Sequence, residues 1–157
     1  MRPNPEMQGT LDCLCGLYAI TNAYKLALNT EDTEADIFKI ILAKISSKKI
    51  VHYIEFGMTI QEVLKVLHKT AKSFGLDYES VICDRVGRFR KLSIVQSPLI
   101  VGVEDNNNLW GSGHWTVIRK ITPKKIKVQD SSLRISEVSR RKFPEFDMDE
   151  IIRVYKP

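Results

Sequence analysis

Apolar residues recur at Leu17, Ile20, Tyr24 and Leu28, the three-and-four spacing that lays one face of a helix against a core. The spacing predicts a helix that begins at or just before Cys15 and ends near Leu28. Residues 33–46 repeat the pattern through Ile37, Ile40, Ile41 and Ile45, and residues 59–75 through Ile60, Val63, Leu64, Leu67, Ala71 and Phe74. The third helix should open with Thr59 and Glu62, spaced as a capping box, and stop at Gly75, which can take a left-handed turn without a Cβ clash. Three helices are therefore expected, with His52 in a loop between them and His68 on the third helix among Lys65, Lys69 and Lys72.

From Tyr78 onward the helical period gives way to β-branched and aromatic runs. These are Tyr78 to Cys83, Leu99 to Val103, His114 to Ile121, Ile126 to Gln129 and Ile151 to Tyr155. Helices first and strands afterwards describe an α+β fold, in which N-terminal helices pack on a C-terminal antiparallel sheet with a cleft between them. The segment Glu104 to Gly113, with DNNN and GSG, reads as a polar loop that delivers the chain to His114 and borders that cleft. No repeat or low-complexity linker interrupts the chain, so residues 1–157 are expected to form a single domain.

Composition narrows the function without naming it. The longest apolar runs fall far short of the roughly 20 residues of a membrane helix, and the start has no apolar signal core, so the expectation is a cytoplasmic protein without a membrane segment. The 24 basic and 19 acidic residues give a net charge of +5. Basic clusters occur at Arg85, Arg88, Arg90 and Lys91, at Lys124, Lys125 and Lys127, and at Arg140, Arg141 and Lys142, but none has the interleaved aromatics of a stacking platform. A nucleic-acid partner is not expected. Three cysteines, Cys13, Cys15 and Cys83, argue against a disulfide framework, and the CxC spacing with one isolated cysteine lacks the paired knuckles of structural zinc. Neither metal nor cofactor is expected.

Acyl transfer by a thiol needs a thiolate, a base, a group that fixes the base, and donors for the oxyanion. Cys15 sits where a helix begins, where unpaired backbone N–H groups favour the thiolate. His114 opens a strand after the GSG loop, Asp130 ends the next strand, and the Gln8 amide lies just upstream of the cysteine. Cys13, two residues earlier in the irregular stretch, is the weaker nucleophile candidate.

The segments QGTLDCLCGLYAITNA, GHWTVI and VQDSS, taken in that order, resemble the papain-like cysteine peptidases. Within them they resemble the small bacterial branch that removes double-glycine leader peptides. The resemblance implies a papain-like fold and a cysteine hydrolase that cleaves a peptide bond. Cys15 is then the nucleophile, His114 the proton shuttle, Asp130 its orienting partner and Gln8 the oxyanion donor. Gly16, Trp110 and Gly113 would line the substrate cleft. A peptide or protein substrate is implied, and an inhibitor or immunity protein is a candidate second partner. Papain itself has a tryptophan after its nucleophile and an asparagine as third member, where this chain has Gly16 and Asp130. Protein glutamine deamidases, cell-wall amidases and transglutaminases share the thioester, and a noncatalytic peptide-binding module is a further alternative.

Strand parity bears on the third member. Side chains alternate faces, so Ile126, Val128 and Asp130 share one face and Lys127 and Gln129 the other. His114, with Thr116 and Ile118, meets Asp130 across an antiparallel hairpin if the loop has an odd number of residues. A three-residue loop, Pro123 to Lys125, pairing Thr122 with Ile126, is therefore expected. A two-residue loop would present Gln129, giving a Cys, His, Gln set, unless a β-bulge intervened.

Overall fold

The computed structural model describes residues 13–30, 34–82, 98–104, 114–131, 136–139, 145–146 and 150–157. Gln8, Cys83, Trp110, Gly113 and the basic clusters at 85–91 and 140–142 lie outside them. Among the described residues no helix is long and apolar enough to cross a membrane.

The first predicted helix forms as α1 (Cys15–Leu28) and ends where Asn29 takes a left-handed φ of 49°. Its burial exceeds what the one-face pattern implied, because every residue from Cys15 to Lys25 is buried, Thr21, Asn22 and Lys25 included. The cause is position. α1 packs on α2 (Glu34–Ala43), on α4 (Ile60–Thr70) and on the sheet, so no side of its first three turns meets water. Thr21 satisfies its hydroxyl within the helix by donating to Leu17 O at 2.9 Å. The Tyr24 and Thr70 hydroxyls meet at 2.7 Å and tie α1 to α4, while Tyr18 stacks on Phe38 of α2 with ring centroids 4.8 Å apart. Each fully buried large apolar side chain along α1, such as Leu17 or Ile20, contributes about 1.5–3 kcal/mol.

α4 begins as expected: Thr59 Oγ1 accepts from Glu62 N, and Glu62 reaches back to Thr59 N at 2.8 Å. A short 3₁₀ turn (Ala71–Phe74) continues it to Gly75, whose φ is 64°. Three helices were expected, and a further one stands between the second and third. α3 (Ser47–Phe56) carries His52, which is helical rather than in a loop. It escaped the pattern because its stripe is short: Ile50, Tyr53 and Ile54 keep the helical spacing over little more than one turn, while Val51 and Phe56 off it are 53% and 74% exposed. Ser46 before it and Gly57 after it, with φ 74°, are the signals that bracket it.

The second half is one antiparallel sheet. Its strands are β1 (Asp77–Ile82), β2 (Leu99–Glu104), β3 (His114–Ile121), β4 (Lys125–Gln129), β5 (Glu137–Ser139), β6 (Glu145–Phe146) and β7 (Glu150–Tyr155). The order is β1-β7-β2-β3-β4-β5, with β6 pairing the end of β2. The α+β order and the papain-like layering expected from the chain are present. β5 and β6, three and two residues long, are too short for an alternating pattern to register. Alternation gives the sheet two apolar faces: Ile100, Trp115, Val117, Ile152 and Val154 join the helices, and Leu99, Val101, Val103, Ile118, Ile126 and Val128 form a second cluster. Of the basic cluster at 124–127, Lys125 and Lys127 share the single carboxylate of Glu137 in β5, which offsets one of its three charges.

The β3–β4 hairpin departs from the expected three-residue loop. Thr122 N donates to Lys125 O at 2.8 Å and Lys125 N donates to Thr122 Oγ1 at 3.0 Å, which leaves Pro123 and Lys124 as a two-residue turn. The pairs Ile121 with Ile126 and Lys120 with Lys127 follow from it. This register alone would bring Gln129 onto the face of His114. A bulge at Arg119 then shifts the pairing by one, so that Ile118 meets Val128 and Val117 meets Gln129. The extra residue moves Gln129 to the face of Val117 and returns Asp130 to that of His114.

Candidate active site

Three elements meet at the site: the start of α1, the start of β3 and the end of β4. Cys15 is the first residue of α1 and is 7% exposed, whereas Cys13, just before the helix, is exposed. Both are free thiols, and the Cys15 thiol lies 3.9 Å from Cys13 O. His114 opens β3, paired with Val103 of β2, and its ring is almost wholly buried. Its Nε2 donates to Asp130 Oδ2 at 2.8 Å, and the Asp130 side chain is fully buried. That bond commits Nε2 and leaves Nδ1 for the Cys15 side chain, which is also within hydrogen-bonding reach of the ring.

Burial disfavours an imidazolium here. The hydrogen bonds to Asp130 and Cys15 and their negative charge outweigh it, and the His114 pKa is pushed up from 6.5 to about 9. The ring is thus protonated through neutral pH, and the cation bridges two acidic partners. Because the folded value lies above the unfolded one, its stabilisation is fully present below pH 6.5 and is lost as pH rises through about 9. A shift of this size is worth about 3 kcal/mol. The melting temperature of the wild type should fall from pH 6.5 to 9.5 more steeply than that of His114→Gln. Parallel curves would refute the ion pair.

Gly16 has another neighbour than the substrate cleft suggested by the sequence. A Cβ there would stand 2.9 Å from Met58 Sδ and 3.1 Å from Met58 Cβ, so a side chain at the helix start would force Met58 of the α3–α4 loop to shift. Sequence reasoning passed over Met58, and the available signal was Gly57 abutting the Thr59 capping box. Trp115 is buried where the sheet packs on the helices. Among the described residues no three His, Cys, Asp or Glu side chains converge as metal ligands.

No family model matches the chain, and no curated protein matches it in sequence. Solved structures do. The peptidase domain of Streptococcus ComA, a bifunctional ABC transporter involved in quorum sensing, superposes with a TM-score of 0.60 at 17% identity over 100% of both chains. A double-glycine-motif protease from an AMS/PCAT transporter, solved in complex with the leader peptide, gives 0.59 at 14% identity over 98% of this chain and 91% of that one. The fold is that of the C39 double-glycine peptidase domains. The N-terminal C39-like domain of a toxin-secretion ATP-binding protein from Vibrio parahaemolyticus shares it, at 0.53 and 14% identity over 96% of this chain and 100% of that domain. In this chain Cys15 opens α1 and His114 opens β3.

Proposed function

We propose that the chain is a cysteine hydrolase that cleaves a peptide bond through an acyl-thioester. The observation that carries this reading is the buried His114 ring, bonded to Asp130 through one nitrogen and within reach of the Cys15 thiol through the other. The Cys15 thiolate attacks the carbonyl carbon of the scissile bond. His114 gives its proton to the leaving nitrogen as the C–N bond breaks, leaving the acyl group on sulfur. Water then attacks the thioester while His114 takes its proton, and the carboxylate product and thiolate are released. Asp130 holds the ring in the tautomer and orientation both steps need. Gln8 and the backbone N–H of Cys15 are assigned to the oxyanion. A peptide substrate is supported by the leader peptide bound to the AMS/PCAT protease of the same fold.

An acyl-type activity probe, applied with and without prior iodoacetamide, tests for an enzyme. Labelling confined to untreated protein is expected, and its absence under reducing conditions would leave a peptide-binding module. Turnover of a peptide library then fixes the bond class. New N-termini seen by mass spectrometry are expected, whereas ammonia release without chain cleavage would make the protein a side-chain deamidase.

A further inference from the structure

The loop between α3 and α4, residues 57–59, touches the site from beneath at both ends of the Cys15–His114 pair. On the nucleophile side, Gly57 lies against Cys13 O, where an added Cβ would come to 3.9 Å, and Met58 fills the space beside Gly16. These contacts fall on Gly16, which follows the thiol-bearing residue, and on Cys13, two residues before it. On the base side, the Trp115 indole N–H donates to Met58 O at 2.8 Å in a buried bond that spans 57 positions of sequence. Trp115 follows His114 directly and is 4% exposed. One residue therefore contacts the immediate successors of both the thiol and the imidazole, with its carbonyl on one and its side chain on the other.

The loop is also held from its own side. Gly57 takes φ 74°, where a side chain would be strained, and Thr59 is locked into α4 by the capping box. Met58 is 8% exposed and has little freedom to shift. We infer that Met58 is a positioning residue that sets the spacing of the Cys15 thiol and the His114 ring, by anchoring Trp115 through its carbonyl and bracing Gly16 with its side chain. Met58 touches neither reacting group; it acts through their neighbours. This inference rests on the cysteine-hydrolase reading, because the spacing matters to function only if the two side chains react as a pair.

The test is the pH profile of Cys15 alkylation by iodoacetamide between pH 5 and 10. A Cys13→Ser background is used, with Cys83 followed on a separate peptide. Trp115→Phe keeps an aromatic ring, though a smaller one, and removes the donor. Gly16→Ala drives a methyl into Met58, and the double variant Gly16→Ala with Met58→Ala relieves that contact beyond Cβ. Trp115→Phe and Gly16→Ala should each slow alkylation at pH 6 by about tenfold, the equivalent of one pKa unit, and change it less than about twofold at pH 9.5. The double variant should recover most of the pH 6 rate. Melting temperatures lowered with the pH profile unchanged would reduce the loop to structural support and overturn the inference alone. A parent protein that does not alkylate at pH 6 would overturn the reacting pair itself, and the inference with it.

Discussion

Cys15→Ala is expected to lower peptide hydrolysis by roughly 10⁴–10⁶-fold, the scale of losing an acyl-accepting nucleophile, while Cys13→Ala leaves most of it. The two thiols are separated by one residue, so the contrast depends on where the helix begins. Cys15 is the first residue of α1, buried and within reach of His114, whereas Cys13 is exposed ahead of the helix and offers its carbonyl to the Cys15 thiol. A thiol with no base beside it has no group to take its proton and attacks amides poorly. Steady-state rates on any cleaved peptide check this. Activity that survives Cys15→Ala and vanishes in Cys13→Ala would reverse the assignment.

Asp130→Ala should cost about 10²–10⁴-fold in kcat/KM, the usual worth of an oriented proton-transfer group, and Gln129→Ala less than about tenfold. Asp130 is buried against the ring, so its removal leaves an imidazole without the carboxylate that favours its charged form. Asp130→Asn keeps the volume and one acceptor oxygen, and it should fall between the two. Gln129 lies across from Val117, and its side-chain nitrogen, buried, has no hydrogen-bond partner among the described residues. Truncating it removes a buried polar group that balances nothing at the ring. If Gln129→Ala proved the more damaging change, the site would be working as a Cys, His, Gln set.

How far the sequence spoke can be read from these same residues. The start of α1 at Cys15, the capping box at Thr59 and the limits of β3 at His114 and Ile121 were legible, because each is marked by local chemistry. So was the order of helices before sheet. α3 was not, since its apolar stripe, Ile50, Tyr53 and Ile54, spans little more than one turn and the exposed Val51 and Phe56 blur it. The hairpin shows a subtler limit. The ring contact falls to Asp130 as parity suggested, but through a two-residue turn and a bulge rather than a three-residue loop. Parity counts residues between two points, and two odd-residue devices give the same count. Met58 was passed over for another reason: the Gly57 turn and the Thr59 capping box beside it mark helix ends, but its contact with Trp115 lies 57 positions away and they do not announce it.

The bulge at Arg119 also gives the gene a place to change length without changing the site. Loss of the single codon for Arg119 would remove the bulge and still leave Ile118 opposite Val128, so Asp130 would keep the face of His114. A residue added between Thr122 and Lys125 would likewise be taken up by the turn that these two residues flank. Gln129 would face His114 only if Arg119 stayed and were drawn into regular pairing. In aligning relatives, a length difference in this hairpin therefore belongs at the bulge or the turn, so that positions 129 and 130 stay in step.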